Sequence, residues 1–266
     1  ISNATTFAVV TDTAAIASTV DGSAMTGKLS VLIGDTSTVK VTGGSAADTI
    51  NMAGTLETND VIDGGDGVDT LTMTGATLAT QFTNVTNVET VAFNEVETAQ
   101  AMNVAKLSAG VTKVILDVDD GAAENSGLLA NTVTGLAGQT VVIRHSESDG
   151  DDTTDDDGVT YTITNATDTA ADSISLELDG IGTGSSGSTA TNFGVNEIDV
   201  NAFETVNIAS NTNSIATVRA DGTTAVAAVG AITLNTLDLL TVSGTTTTLA
   251  LTGATDLTIT DIAGSV

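Results

Sequence analysis

Two nine-residue stretches carry the clearest chemistry in this 266-residue chain. They are Gly43-Gly44-Ser45-Ala46-Ala47-Asp48-Thr49-Ile50-Asn51 and Gly64-Gly65-Asp66-Gly67-Val68-Asp69-Thr70-Leu71-Thr72. The second fits the repeat G-G-x-G-x-D-x-U-x at every fixed position, and the first departs from it only at Ala46. Glycine lets the backbone turn through conformations that a Cβ forbids, so that carbonyl oxygens can converge on a hard cation. Asp48 and Asp69 would add carboxylate oxygens to those carbonyls, which is the ligand chemistry of Ca2+. The apolar eighth residue, Ile50 or Leu71, then turns inward from a short strand.

The register between the two copies predicts how they meet. Directly before Gly64, the stretch from Thr55 to Asp63 has lost its glycines but keeps Asp60 and Ile62 at the sixth and eighth places. In a parallel roll of alternating turns and strands, loops one repeat apart lie on opposite edges and loops two repeats apart stack on the same edge. Asp48 and Asp69 are therefore expected to be neighbours, with Met52-Ala53-Gly54 bulging out as a small insertion. One calcium ion is expected between their loops. The candidate ligand set is Gly44, Ala46 and Asp48 from the first loop and Asp60 and Asp63 from the intervening stretch, with Gly65, Asp66, Gly67 and Asp69 from the second.

The elements that must hold these loops are strands. The chain has no proline, cysteine or tryptophan, one tyrosine and five phenylalanines, and threonine is its commonest residue. Threonine, valine and isoleucine suit a pleated surface, and without proline every backbone donor is free to join a ladder. Short strands with a period of two are legible in 87–93, 111–116, 140–143, 160–164, 174–178, 202–208, 236–242 and 254–259. Four of these include an acid flanked by apolar residues: Glu89, Glu204, Asp238 and Asp256. Their spacing suggests stacked coils of roughly twenty residues, in which the acid is structural rather than catalytic. The one helical turn expected is Asn103 to Leu107.

The predicted fold is all-β, an elongated parallel β-solenoid of the β-helix or β-roll kind. A leading β segment (1–42) precedes the calcium-binding roll (43–72) and a first set of coils (73–144). Acidic and Gly/Ser-rich loops with short strands (145–192) then separate these from further coils (193–266). The acidic run from Ser146 to Gly158 is expected to be a solvated loop, with a calcium site there as the alternative, although it lacks the order of ligands of an EF-hand. Asp117-Val118-Asp119-Asp120 is a weaker candidate for a cation. The string Gly182-Thr183-Gly184-Ser185-Ser186-Gly187 matches a dinucleotide fingerprint, but no helix-forming stretch follows to receive a pyrophosphate. His145 is the only histidine, and with Arg144 and Glu147 beside it a salt-linked surface position is expected.

Charge narrows the partners. With 34 acidic and 6 basic side chains the formal net charge is −28, which opposes nucleic acid and anionic membranes and favours divalent cations. Folding of so charged a chain should be linked to cation binding. No transmembrane helix and no signal peptide are legible, and a start at Ile1 suggests a fragment or processed form. Catalysis is not expected: the four lysines and two arginines are scattered, and few aromatic rings are present to stack on a sugar. Asn3, Asn84 and Asn165 begin glycosylation-acceptor triplets.

Taken together, the nonapeptides, the acidity, the Ala/Thr/Gly richness, the absent cysteine and units such as Asn87-Val88-Glu89-Thr90-Val91 resemble the RTX-type calcium-dependent surface-layer (S-layer) proteins of Gram-negative bacteria. The resemblance implies a secreted, extracellular structural protein, exported unfolded by type I secretion and folding on external calcium. It implies a self-assembling coat on the cell surface, bound to outer-membrane polysaccharide. A segment of a secreted RTX adhesin, or a β-helix enzyme acting on polysaccharide, are the alternatives.

Overall fold

The computed structural model describes residues 6–11, 18–34, 38–52, 56–74, 81–94, 101–118, 129–145, 159–165, 167–184, 191–193, 195–211 and 234–265. Its architecture follows from the alternation of apolar and polar residues in short strands. Strands such as Lys28–Ile33 and Thr205–Asn211 bury every second side chain, and successive strands switch between sheets, so the chain winds in coils. The fold is a parallel β-solenoid, and no α-helix occurs among the described residues. The chain divides into two compact units.

The first unit contains β1 (Thr6–Thr11), β2 (Ser18–Asp21), β3 (Lys28–Ile33), β4 (Val39–Thr42), β5 (Thr49–Asn51), β6 (Val61–Asp63), β7 (Thr70–Thr74), β8 (Val85–Thr86) and β9 (Thr90–Asn94). Odd-numbered strands form one sheet and even-numbered strands another. Every pairing is parallel and in sequence order. Val31 aligns with Ile50, Ile50 with Leu71 and Leu71 with Val91. These four side chains are between 0% and 2% exposed and make a continuous apolar column. On the second sheet Val41 aligns with Ile62 and Ile62 with Val85, also buried.

In the second unit lie β10 (Ala101–Asn103), β12 (Leu129–Leu136), β13 (Thr140–His145), β14 (Val159–Asn165), β15 (Ser173–Asp179), β16 (Gly182–Gly184), β17 (Thr191–Phe193), β18 (Val195–Asn201), β19 (Thr205–Asn211), β20 (Leu234–Ser243), β21 (Thr248–Gly253) and β22 (Asp256–Ser265). A further strand, β11 (Lys113–Val118), begins in the first unit and ends in the second. One parallel sheet runs β10-β12-β14-β18-β20-β22, and another contains β13-β15-β19-β21 in that order. Tyr161, Ile163, Ile198, Val200, Leu237 and Leu240 supply a buried core behind the first of these sheets.

In the second unit only the last coil, where Leu234 pairs with Asp256, comes close to the twenty-residue spacing of the first unit. There Thr49 pairs with Thr70 and Thr70 with Thr90, whereas in the second unit Ser173 pairs with Thr205 and Thr205 with Thr248. Part of the added length is the antiparallel hairpin of β16 and β17, which occupies the glycine-rich segment that the sequence marks as a loop. The dinucleotide-like string therefore begins inside a strand, with 185–190 outside the described residues. The acidic run 146–158 also lies outside them. A 3-10 turn at Val104–Lys106 takes the place of the expected helical turn, and a second one at Gln81–Asn84 carries no advance signal.

Because Ile50 sits at the centre of a close-packed column, truncating it leaves a cavity that the stacked backbone cannot close. Ile50→Ala should cost about 2–5 kcal/mol by urea unfolding, and Leu32→Ala, on the less buried alternate face of β3, distinctly less. Equal losses for the two would contradict the assignment of faces.

Candidate functional site

One edge of the first unit is built from glycine turns laid on one another. The turns starting at Gly22, Gly43 and Gly64 are stitched by backbone bonds: Gly22 N–H donates to Thr42 O, Gly43 N–H to Asp63 O and Gly64 N–H to Thr86 O. Asp66 N–H reaches Gly44 O across the stack, and Thr70 N–H reaches Asp48 O. The two nonapeptide loops are thus direct neighbours, as the register predicts. Stacking this close needs glycine, because a Cβ on Gly64 would collide with the carbonyl oxygen of Asn87 and lie 2.7 Å from Asp69 Oδ2.

The acids of these loops do something the motif alone does not reveal. Leu29, Asp48, Asp69 and Glu89 each sit one residue before the aligned positions Ser30, Thr49, Thr70 and Thr90. Each acid accepts the backbone N–H of its counterpart one coil earlier. Leu29 N–H donates to Asp48 Oδ1 at 2.7 Å, Asp48 N–H to Asp69 Oδ1 at 2.7 Å, and Asp69 N–H to Glu89 Oε2 at 2.8 Å. The result is a ladder of charge-assisted bonds parallel to the apolar column. Asp48 and Asp69 are each 1% exposed, and bonds of this kind offset the cost of burying a carboxylate.

Asp60 uses the same device on the opposite edge. Its Oδ1 accepts Val39 N–H at 2.9 Å and its Oδ2 accepts Glu57 N–H at 2.7 Å. The structure therefore does not bring Asp60 together with Asp48 and Asp69, although its alignment with them as a decayed repeat is sound. Glu204 repeats the arrangement in the second unit, accepting Asp172 N–H at 2.7 Å. Glu89 and Glu204 thus occupy like positions, each just before a strand. Asp238 and Asp256 instead lie within β20 and at the start of β22, so the four acids are not one repeating unit.

Within the ladder, Asp48 and Asp69 differ. Asp48 Oδ2 accepts Gly44 N–H from its own turn at 2.7 Å, so both of its oxygens have a backbone donor. Gly65, the equivalent glycine, has φ of 91° and donates instead to Asp63 Oδ1 at 3.2 Å. The same Asp63 oxygen accepts Asn87 Nδ2 at 2.8 Å. Asp69 Oδ2 is left buried with no hydrogen-bond partner among the described residues. Burial, and then the charges of Asp48, Glu89 and Asp63, push the Asp69 carboxyl up to about 6 against the opposing bond from Asp48 N–H.

These details decide what could hold a metal. Among the described residues no group of three or more His, Cys, Asp or Glu side chains is placed to bind one. Any cation here would depend on backbone carbonyls with one or two carboxylates, which is the donor set the glycine-rich motif provides. The carbonyl of Gly44 is already an acceptor for Asp66 N–H. Asp69 Oδ2 is the buried carboxylate oxygen of these loops that has no donor, and so the candidate ligand among them. Gly67, with φ of 133°, turns the loop over Ala46 and shapes the site without contributing a side chain.

Other sequence candidates resolve differently. Arg144 lies beside the sole histidine but pairs with Asp179 of the adjacent strand at 3.0 Å, where the two side chains are 12% and 1% exposed. This is a largely buried structural link rather than a surface one. The side chains of His145 and of Asp117 to Asp120 fall outside the described set. The amides of Asn84 and Asn165 donate to Thr58 O and Ala202 O. Sequence reasoning missed Asn87 and the contrast between Thr42 and Asp63; the residue preceding each Gly-Gly pair was the available signal.

The raised carboxyl of Asp69 gives a signed pH dependence in calcium-free buffer. Below about pH 4 the group is neutral in both folded and unfolded chains. As pH rises from about 4 to about 6 the unfolded chain ionises it first, so stability on the order of 2–3 kcal/mol is lost. Relative to the parent, Asp69→Asn should gain that amount between pH 4 and pH 7 in urea unfolding, and a constant difference would contradict the assignment. Comparison with known proteins supplies no relative: no family model matches the chain, and neither a curated protein nor a solved structure is significantly similar to it.

Proposed function

We propose that this chain is a non-catalytic structural protein of the cell surface, a β-solenoid whose edge turns close on calcium and which self-assembles into a surface layer. The observation that carries this reading is the buried, unpartnered Oδ2 of Asp69. It packs against Gly64, whose lack of a Cβ lets this oxygen and the carbonyl of Asn87 approach the backbone closely. A carboxylate oxygen in that state is stabilised by a proton or a cation, and its setting in two stacked glycine turns favours a hard, oxygen-seeking ion. When bound, calcium would supply the positive charge that the crowded acids lack.

Composition supports the wider reading. A net charge of −28 leaves the chain self-repelling and less stable where calcium is scarce and more stable where it is plentiful, which suits a protein folding outside the cell. Acidic surfaces could be bridged by further ions between copies, with outer-membrane polysaccharide as the anchor. The second reading, a segment of a secreted RTX adhesin, shares the calcium chemistry but forms no lattice.

Electron microscopy of EDTA-stripped protein, before and after millimolar calcium is restored, separates the two. Sheets or regular arrays appearing only with calcium are the expected result. Dispersed particles in both states, accompanied by calcium binding, would overturn self-assembly in favour of the adhesin.

A further inference from the structure

The two loops that the motif makes equivalent are chemically unequal, and the inequality has a traceable cause. In the first loop the residue before the Gly-Gly pair is Thr42, and Gly44 N–H goes to Asp48 Oδ2. The aligned residue of the next coil is Asp63. Its carboxylate, held by Asn87 Nδ2, takes the Gly65 N–H, the counterpart of the Gly44 N–H that closes on Asp48 Oδ2 in the first loop. One acid therefore has two backbone donors, and the other has one donor and one open oxygen.

We propose that Asp69, opened by Asp63, anchors the calcium ion of the first unit, whereas Asp48 is a peg that joins coil to coil with or without calcium. This rests on the calcium reading above and narrows it to one of two apparently equal residues. Asparagine substitution tells them apart because it keeps one acceptor oxygen and replaces the other with a donor. In Asp48→Asn the new amide N–H group faces an existing backbone N–H, a mismatch that no cation repairs. In Asp69→Asn the side-chain oxygen still accepts Asp48 N–H, and the amide occupies the open position where no donor opposes it. Asp63→Thr restores the first loop's arrangement and releases Gly65 N–H to Asp69 Oδ2.

The test is calcium chloride titration by calorimetry on the full chain, paired with thermal melts in EDTA and in millimolar calcium. Asp69→Asn should melt in EDTA no lower than the parent and bind one calcium ion fewer, and Asp63→Thr should do the same. Asp48→Asn should melt lower by about 5 °C in both buffers and keep the parent's calcium stoichiometry. A parent that binds no calcium would sink the functional reading and this inference together. A parent that binds calcium, with Asp69→Asn retaining the full stoichiometry or Asp48→Asn losing an ion, would overturn this inference alone.

Discussion

The first unit depends on a single repeated bond, in which a carboxylate at the end of a turn accepts the backbone N–H of the coil before it. Where a strand begins, the regular ladder has not yet started, and an edge amide buried there would lack a partner. Asp48, Asp69 and Glu89 supply that partner in turn on one edge, and Asp60 does so on the other. Each acid fixes the axial position of two coils at once. That pins the register in which Val31, Ile50, Leu71 and Val91 stack. A slip of one residue would expose the apolar column and break the acid ladder together.

Such a ladder explains how a chain of this charge keeps carboxylates in its interior. Buried acids are tolerated here because backbone donors face them, and each turn of the stack provides those donors in the same place. Asp172 and Glu204 reproduce the device in the second unit, where coils are longer and hold a hairpin. An amide plays the equivalent part elsewhere in that unit. Asn235, 0% exposed, accepts Ile181 N–H and donates to the carbonyls of Leu178 and Asn211. Polar side chains that answer backbone groups, rather than one another, hold the corners of both units.

Much of this was legible in the sequence, for physical reasons. The alternation in β3 and β19 reports a half-buried strand directly, and equal spacing of Ile50 and Leu71 reports a stacked coil. The stacking of the Asp48 and Asp69 loops, with Asp60 opposite, followed from counting strands between turns. What stayed hidden depends on which atom a side chain meets. Asp48 and Asp69 look identical within the nonapeptide, and their difference arises from Asp63 and Asn87, which lie outside it. Coil length in most of the second unit is hidden because insertions between strands, such as the β16–β17 hairpin, leave the strand pattern intact while stretching the spacing. The buried pairing of Arg144 is not legible because local sequence cannot reveal Asp179, a partner in the next coil.

The most direct measurement is residue-resolved amide hydrogen exchange on calcium-free protein. If carboxylates hold the coils together, the amides of Leu29, Gly44, Asp48 and Asp69 should exchange as slowly as those of Ile50 and Leu71 inside the strands. Exchange of these four at the rate of solvent-exposed turn amides, with the strand amides still protected, would show that the acids do not hold the stack.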